Sequence, residues 1–178
     1  MFVTNHVMAG AVIGQRFSGR PVTAFVVGMG SHLAMDAVPH WGCDVTVDGG
    51  LERFLRAARR DGLVGLAACG GVFLAADRRC RVATVAAVAG AVLLDLDKPV
   101  EHFFGRNPFP ELVQWVHGGI QRESPGGMPV EVATGALLAL VDAVLAGRGR
   151  RRAARGRIRH EPAIQCSSAG QSRATLPS

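Results

Sequence analysis

A histidine and an aspartate one helical turn apart are the strongest chemical signal in the sequence. In the segment SHLAMDAVPHW, His32 and Asp36 stand at i and i+4, so a helix through them presents an imidazole and a carboxylate on one face, within reach of one cation. Pro39 disfavours helical geometry at Val38, so the helix is expected to end there and His40 to turn back over its end. These three side chains are predicted to converge on a metal ion.

A second group of acidic and histidine residues lies in DLDKPVEHFFG. Asp95 and Asp97 are two apart and do not share a helix face, so one is expected to bind the metal while the other caps a helix, pairs with Lys98 or supports a ligand. His117 is expected in a loop. The alternative for each histidine is a hydrogen-bonded structural role, and His160 in the basic C-terminal region is assigned no role. The predicted metal ligands are His6, His32, Asp36, His40, Asp95, Asp97, His102 and His117.

Five apolar blocks, almost free of charge, are available to position these side chains. Nothing in them alternates with period two, so helices are expected rather than strands. Pro21 suits the first turn of the second block, and Asp61 stands just before the third. The sequence therefore predicts an all-α fold, a small bundle of about four to five apolar helices. The blocks are residues 3–14, 21–38, 62–76, 82–96 and 130–146.

The same blocks favour a membrane over water. Residues 21–38 would reach roughly 27 Å as a helix, close to the bilayer core of about 30 Å, whereas residues 62–76 and 82–96 would reach only about 22 Å. Glycine is frequent in the blocks, which destabilises a helix in water but allows close helix contact in lipid. A membrane bundle in contact with lipids is predicted, and a soluble bundle of unusually apolar helices is the alternative.

Arginine dominates two further segments. Residues 51–60, LERFLRAARR, are amphipathic and suggest either an interfacial helix on anionic headgroups or an ordinary surface helix. Residues 148–178 are basic and hold few large apolar groups, so they are predicted to be a disordered tail after a helical membrane domain at residues 1–147. The formal charge of +6 reflects this tail, and no nucleic-acid partner is expected. The four cysteines form no CxxC pair, which argues against a disulfide framework or a cysteine zinc site.

The membrane topology expected from the apolar blocks would place the predicted ligands on one side of the membrane. If each apolar block crosses the membrane once, the start of the first block and the ends of the second and fourth fall on one side. Arginines are more numerous in the loops of the opposite side. Because basic loops tend to stay inside, we expect a multi-pass protein of the inner (plasma) membrane with a cytoplasmic tail and the His/Asp face outside.

The sequence resembles the family of bacterial membrane-bound, predicted metal-dependent hydrolases that includes LexA-regulated inner-membrane proteins and is distantly similar to zinc-dependent phospholipase C. The resemblance implies a helical membrane bundle whose metal ligands are the matching histidines and aspartates. It departs from the family where Lys98 replaces the histidine after D-x-D, and where His117-Gly118-Gly119 is the nearest counterpart of H-R-G-x-T-H-S. The matching positions are Asn5-His6, Ser31-His32, Asp36, Asp95 and Asp97.

Mixed histidine and carboxylate ligands suit a divalent metal, above all zinc, with manganese or iron as alternatives. Together with the resemblance, they predict a metal-dependent hydrolase of lipid or other phosphoesters, with Asp97 as general base. His102 and His117 are candidates to replace the ligands that the family motifs would supply. The alternatives are a non-enzymatic membrane protein that binds a metal for structure, sensing or transport, and a protein without metal.

The membrane hypothesis predicts how the protein fractionates. It should sediment with membranes and resist extraction by alkaline carbonate, because residues 21–38 and at least two other blocks are too apolar to face water. Immunoblotting of the soluble and membrane fractions checks this. Recovery in the soluble fraction without detergent would contradict it.

Overall fold

The structure, a computed structural model, describes residues 1–160, with side chains as far as Arg148. Helices form most of this part of the chain, so the predicted helical class is confirmed. Two dipeptides, β1 (His40–Trp41) and β2 (Glu123–Ser124), pair in parallel, and a 3₁₀ turn covers Leu94–Leu96. The helices are α1 (Val3–Arg16), α2 (Pro21–Asp36), α3 (Gly50–Ala75), α4 (Arg81–Val92), α5 (Asp97–Phe104), α6 (Glu111–Ile120) and α7 (Met128–His160).

The start of α1 is capped by carboxylates from two other helices. Asp61 of α3 accepts a hydrogen bond from the backbone amide of Val3 at 2.6 Å, and Glu131 of α7 accepts one from the amide of Phe2 at 3.1 Å. The first amides of a helix have no partner within it, and negative charge there also complements the helix dipole. These long-range caps fix α1, which carries His6, against α3 and α7.

Glycine lets α1 lie directly on α4. A Cβ atom on Gly10 would stand 2.6 Å from the Cα of Val88, and one on Gly14 would overlap the backbone of Thr84. The buried apolar residues at this level are mainly alanines, with Ala83 and Ala87 packed against Ala24 of α2. In the interior, the helices therefore pack with their backbones in direct contact instead of through large side chains.

The same close approach joins α2 to α4. A Cβ on Gly28 would overlap the carbonyl of Ala87, and one on Gly90 would overlap the carbonyl of Phe25. Such small-residue contacts are typical of helices that associate in lipid. They draw the end of α2 towards the end of α4, where the candidate ligands lie.

Large apolar side chains lie on the outside of the molecule. Val22, Leu66 and Leu74 are 77%, 72% and 79% exposed. The largest fully buried side chains include His6 and other polar residues. An apolar outer surface of this extent is unusual for a protein that faces only water.

One helix in the described part of the chain is long and apolar enough to cross a membrane, over Met128–Arg148 in α7. The expected count of four to five such helices is therefore wrong, since the other helices of the described residues do not have the length and composition of a membrane span. The reason is helix length, because α2 has 16 residues and reaches about 24 Å, and α1 and α4 are shorter still.

Helix boundaries also differ from the sequence-based expectation. The amphipathic residues 51–60 and most of the apolar residues 62–76 form one continuous helix, α3, and the side chain of Asp61 caps α1 instead of starting a new helix. Residues 148–160 of the predicted tail continue α7 as helix. The rest of that tail, residues 161–178, lies outside the described residues.

The interlocked glycines predict a contrast between two substitutions. Gly90→Ala should destabilise the protein by about 1 to 3 kcal/mol, because its methyl group overlaps the backbone of Phe25. Gly30→Ala on the open side of α2 is the control, since nothing lies within 4 Å of its Cβ, and it should be neutral or stabilising by up to about 1 kcal/mol. Thermal unfolding in detergent measures both, and equal midpoints would contradict the packing.

Candidate metal centre

Four buried side chains from three elements converge behind the ends of α2 and α4. His32 and Asp36 come from α2, Asp95 from the 3₁₀ turn and His117 from α6, and one donor atom of each lies within 4.8 Å of the others. No side chain of the four is more than 8% exposed. Two imidazoles and two carboxylates form a donor set that divalent metals such as zinc accept.

The spacing of the donors fits a single small ion. The Nε2 atoms of His32 and His117 are 3.0 Å apart, and they lie 3.3 Å and 3.5 Å from Oδ2 of Asp36. Donors bound at about 2.0 to 2.1 Å to one tetrahedral zinc stand about 3.4 Å from each other. The three atoms therefore have the mutual distances of ligands on a common ion.

The outer hydrogen bonds of the two histidines orient their rings. Nδ1 of His32 lies 2.7 Å from the carbonyl oxygen of Ala91, and Nδ1 of His117 lies 3.0 Å from Oδ2 of Asp97. Both oxygens accept hydrogen bonds, so each Nδ1 carries a proton and each Nε2 points inward. With both rings neutral, two Nε2 lone pairs and the Asp36 carboxylate would face one another, an arrangement that a positive charge between them, either a metal ion or a proton on Nε2, would stabilise.

The pKa of His117 also shows that positive charge is favoured at this position. Its interactions with the carboxylates of Asp36 and Asp97 raise the pKa of His117 to about 9, because both stabilise the imidazolium form. A proton and a metal ion therefore compete for Nε2 of His117, and binding of a metal there would release a proton.

His6 of α1 completes the cluster from the opposite side. Its Nε2 lies 3.2 Å from Oδ1 of Asp36 and 3.8 Å from Oδ2 of Asp95, and its ring stacks on that of His32 with centroids 4.2 Å apart. Within the described residues, neither nitrogen of His6 nor Oδ2 of Asp95 makes a hydrogen bond. Buried polar atoms without partners are destabilising, and a bound cation would satisfy them.

Asp36 is the common neighbour of these groups. Its Oδ1 accepts a hydrogen bond from the amino group of Met1 at 2.7 Å, and its Oδ2 accepts one from Nε2 of Gln121 at 3.1 Å. Neither partner was expected from the sequence. Gln121 lies four residues after His117, so the i and i+4 spacing would have revealed it had α6 been recognised as a helix.

The position of His117 corrects the expectation of a loop there. It lies on α6, which starts after Pro110 and has Glu111 in its first turn, both common at helix starts. The backbone amide of Arg122 donates to the carbonyl of Asp36 at 3.1 Å, next to the pairing of β1 with β2. This connection holds the end of α6 against the end of α2.

The structure does not bring every predicted ligand into the cluster. Asp97 contacts it through His117 and lies outside the four-residue group. His40 is buried on β1, where its Nδ1 lies 2.8 Å from the carbonyl of Val38, and it is not part of that group. His102 is exposed on α5 with its ring against Phe103, because its helix turns it away from α2. The predicted residues that form the group are His32, Asp36, Asp95 and His117, while His6 and Asp97 contact members of it from outside.

The chain matches no protein-family model, no curated protein and no solved structure. Its resemblance to membrane-bound metal-dependent hydrolases therefore rests on the sequence motifs and remains a hypothesis.

The cluster predicts the effect of removing its members. His32→Ala and Asp36→Ala should each lose bound zinc while the protein still folds in detergent, because the remaining donors cannot complete a coordination sphere. His102→Ala, an exposed histidine outside the group, is the matched control and should keep its metal.

Zinc per mole of monodisperse protein is the measurement, together with thermal unfolding with and without chelator. If the pair is only structural, both substitutions should instead destabilise the fold by about 1 to 3 kcal/mol and leave the metal content unchanged. Wild-type protein that holds no metal and is insensitive to chelator would contradict the metal centre.

Proposed function

We propose that this protein is a membrane-embedded, metal-dependent hydrolase of lipid or other phosphoesters. One observation carries the proposal. The outer hydrogen bonds of His32 and His117 aim both Nε2 atoms at the buried carboxylate of Asp36. Such preorganised donors are the usual basis of catalytic zinc sites.

The membrane part of the proposal rests on the outer surface. Apolar side chains on α2, α3, α4 and α7 face outward, including Val26, Leu63, Val82 and Leu137. α7 has the length to cross a bilayer, while the shorter helices would need local thinning or snorkelling of the arginines at their ends. We therefore propose a multi-pass protein of the plasma membrane whose long helix is Met128–Arg148.

The chemistry proposed for the site is hydrolysis with two distinct roles for the aspartates. A divalent metal, when bound, would polarise a phosphoester oxygen and acidify water. Asp97 accepts hydrogen bonds from His117 at 3.0 Å and from the amide of Lys98 at 2.6 Å, so it is suited to orient His117 rather than to take a proton as general base. In this proposal His32, Asp36 and His117 hold the metal, and Asp95, whose Oδ2 makes no hydrogen bond within the described residues, is left free of the metal as the candidate base.

Burial of the site favours one alternative. The four clustered side chains are almost fully shielded from the surroundings, as in metal sites that serve structure or sensing. The second candidate function is therefore a membrane protein that binds the same metal without turnover.

Catalysis by purified protein distinguishes the two functions. The hydrolase should cleave a generic phosphodiester, lose this activity in chelator and regain it with zinc. Asp95→Asn should lower kcat per bound zinc by about 100-fold or more, since a positioned general base contributes at least that much. Asp77→Asn, an exposed aspartate in the turn between α3 and α4, is the control and should retain full activity.

Each other outcome has a definite meaning. Bound zinc without turnover against a panel of lipids and phosphodiesters would reject the hydrolase and support the non-enzymatic function. If Asp95→Asn keeps full activity per bound zinc, Asp95 is not the general base, and the hydrolase proposal itself is unaffected.

A further inference from the structure

An apolar groove with a basic end lies on the outer side of α4, away from the metal centre. Its volume is about 460 Å³. The apolar lining comes from α4 positions spaced like one face of a helix, and from the end of α3. It is lined by Phe73, Arg78, Arg81, Val82, Val85 and Ala89.

Arg81 of the groove is held in place, and neither groove arginine has an acidic partner within the described residues. The guanidinium of Arg81 lies 4.8 Å above the ring of Phe73 and donates to the carbonyl of Ala76 at 3.4 Å, while its Nε is buried without a hydrogen bond within the described residues. Neither Arg81 nor Arg78 has a carboxylate within 4.0 Å in that part of the chain. Their positive charge is therefore available to an anion from outside.

The basic end of the groove lies at the end of α4 opposite the metal centre. α4 begins at Arg81 and ends at Val92, shortly before Asp95, so its 12 residues separate the arginines of the groove from the metal centre by about 18 Å. Arg16 at the end of α1 and Arg20 at the start of α2 share the basic end. Basic pockets between membrane helices are typical binding sites for anionic lipid headgroups.

We propose that this groove binds one anionic phospholipid. Its phosphate would meet Arg78 and Arg81, and an acyl chain would follow Val82, Val85 and Ala89 along α4. A soluble anion would leave the apolar lining uncovered, and a neutral lipid would leave the arginines unpaired, so the combination of the two surfaces selects this ligand. The inference rests on the membrane part of the proposed function and is independent of hydrolysis.

Binding of fluorescent phosphatidylglycerol to the full-length protein in mixed micelles tests the site, with phosphatidylcholine as the neutral comparison. The wild type should prefer phosphatidylglycerol. Arg78→Gln should lower that affinity about five-fold, the usual effect of one arginine near anionic lipid, and leave phosphatidylcholine binding unchanged. Arg53→Gln, an exposed arginine near the start of α3, is the matched control and should bind like the wild type.

Ala89→Trp tests the apolar half of the groove, because it fills the path of the acyl chain and leaves the arginines in place. It should weaken phosphatidylglycerol binding. If Ala89→Trp binds the lipid normally and inorganic phosphate displaces it completely, the site is a simple anion site and the lipid proposal is overturned. A concentration-dependent dimer that Ala89→Trp abolishes would overturn it in favour of a second copy of the chain.

Flotation of the wild type with neutral phosphatidylcholine vesicles separates this inference from the membrane proposal. Failure to float would overturn both. Flotation together with equal affinity for the two lipids would overturn the lipid site alone.

Discussion

The end of the bundle that holds the candidate site is arranged around one buried carboxylate, that of Asp36. An ionised carboxylate inside an apolar bundle is destabilising unless charges and hydrogen-bond donors surround it. Its two oxygens divide the surroundings between them, with His6 and the amino group of Met1 on one side and His32, His117 and Gln121 on the other. These partners come from the chain start and from α1, α2 and α6, so a single charge organises elements that are distant in sequence.

Close helix packing makes this arrangement possible. Because Gly28 and Gly90 bring the backbones of α2 and α4 into contact, the last turns of α2 and the 3₁₀ turn after α4 are carried to one place. Bulky side chains at the contact would have separated the helices and, with them, His32 from Asp95. The large apolar groups lie instead on the outer surface, where lipid rather than a protein core can cover them.

Much of the site could be predicted from sequence, because local spacing controls much of it. His32 and Asp36 are one helical turn apart, and Asp95 follows an apolar helix. Local patterns could not predict contacts between residues that are far apart in the sequence. The parallel pairing of β1 with β2 brings His117 to Asp36, and His102 is exposed on α5. The number of membrane-crossing helices was overpredicted because hydropathy marks apolar blocks but does not fix where a helix ends.

The capping of α1 has a consequence for biosynthesis. Glu131, which holds the amide of Phe2, belongs to the last helix, so the first helix has no complete cap until the ribosome has made most of the chain. The carboxylate of Asp61 on α3 is available earlier, so the two caps of the helix that carries His6 become available in two stages during synthesis. A chain truncated before α7 would keep every member of the four-residue group but would lack the second cap of α1.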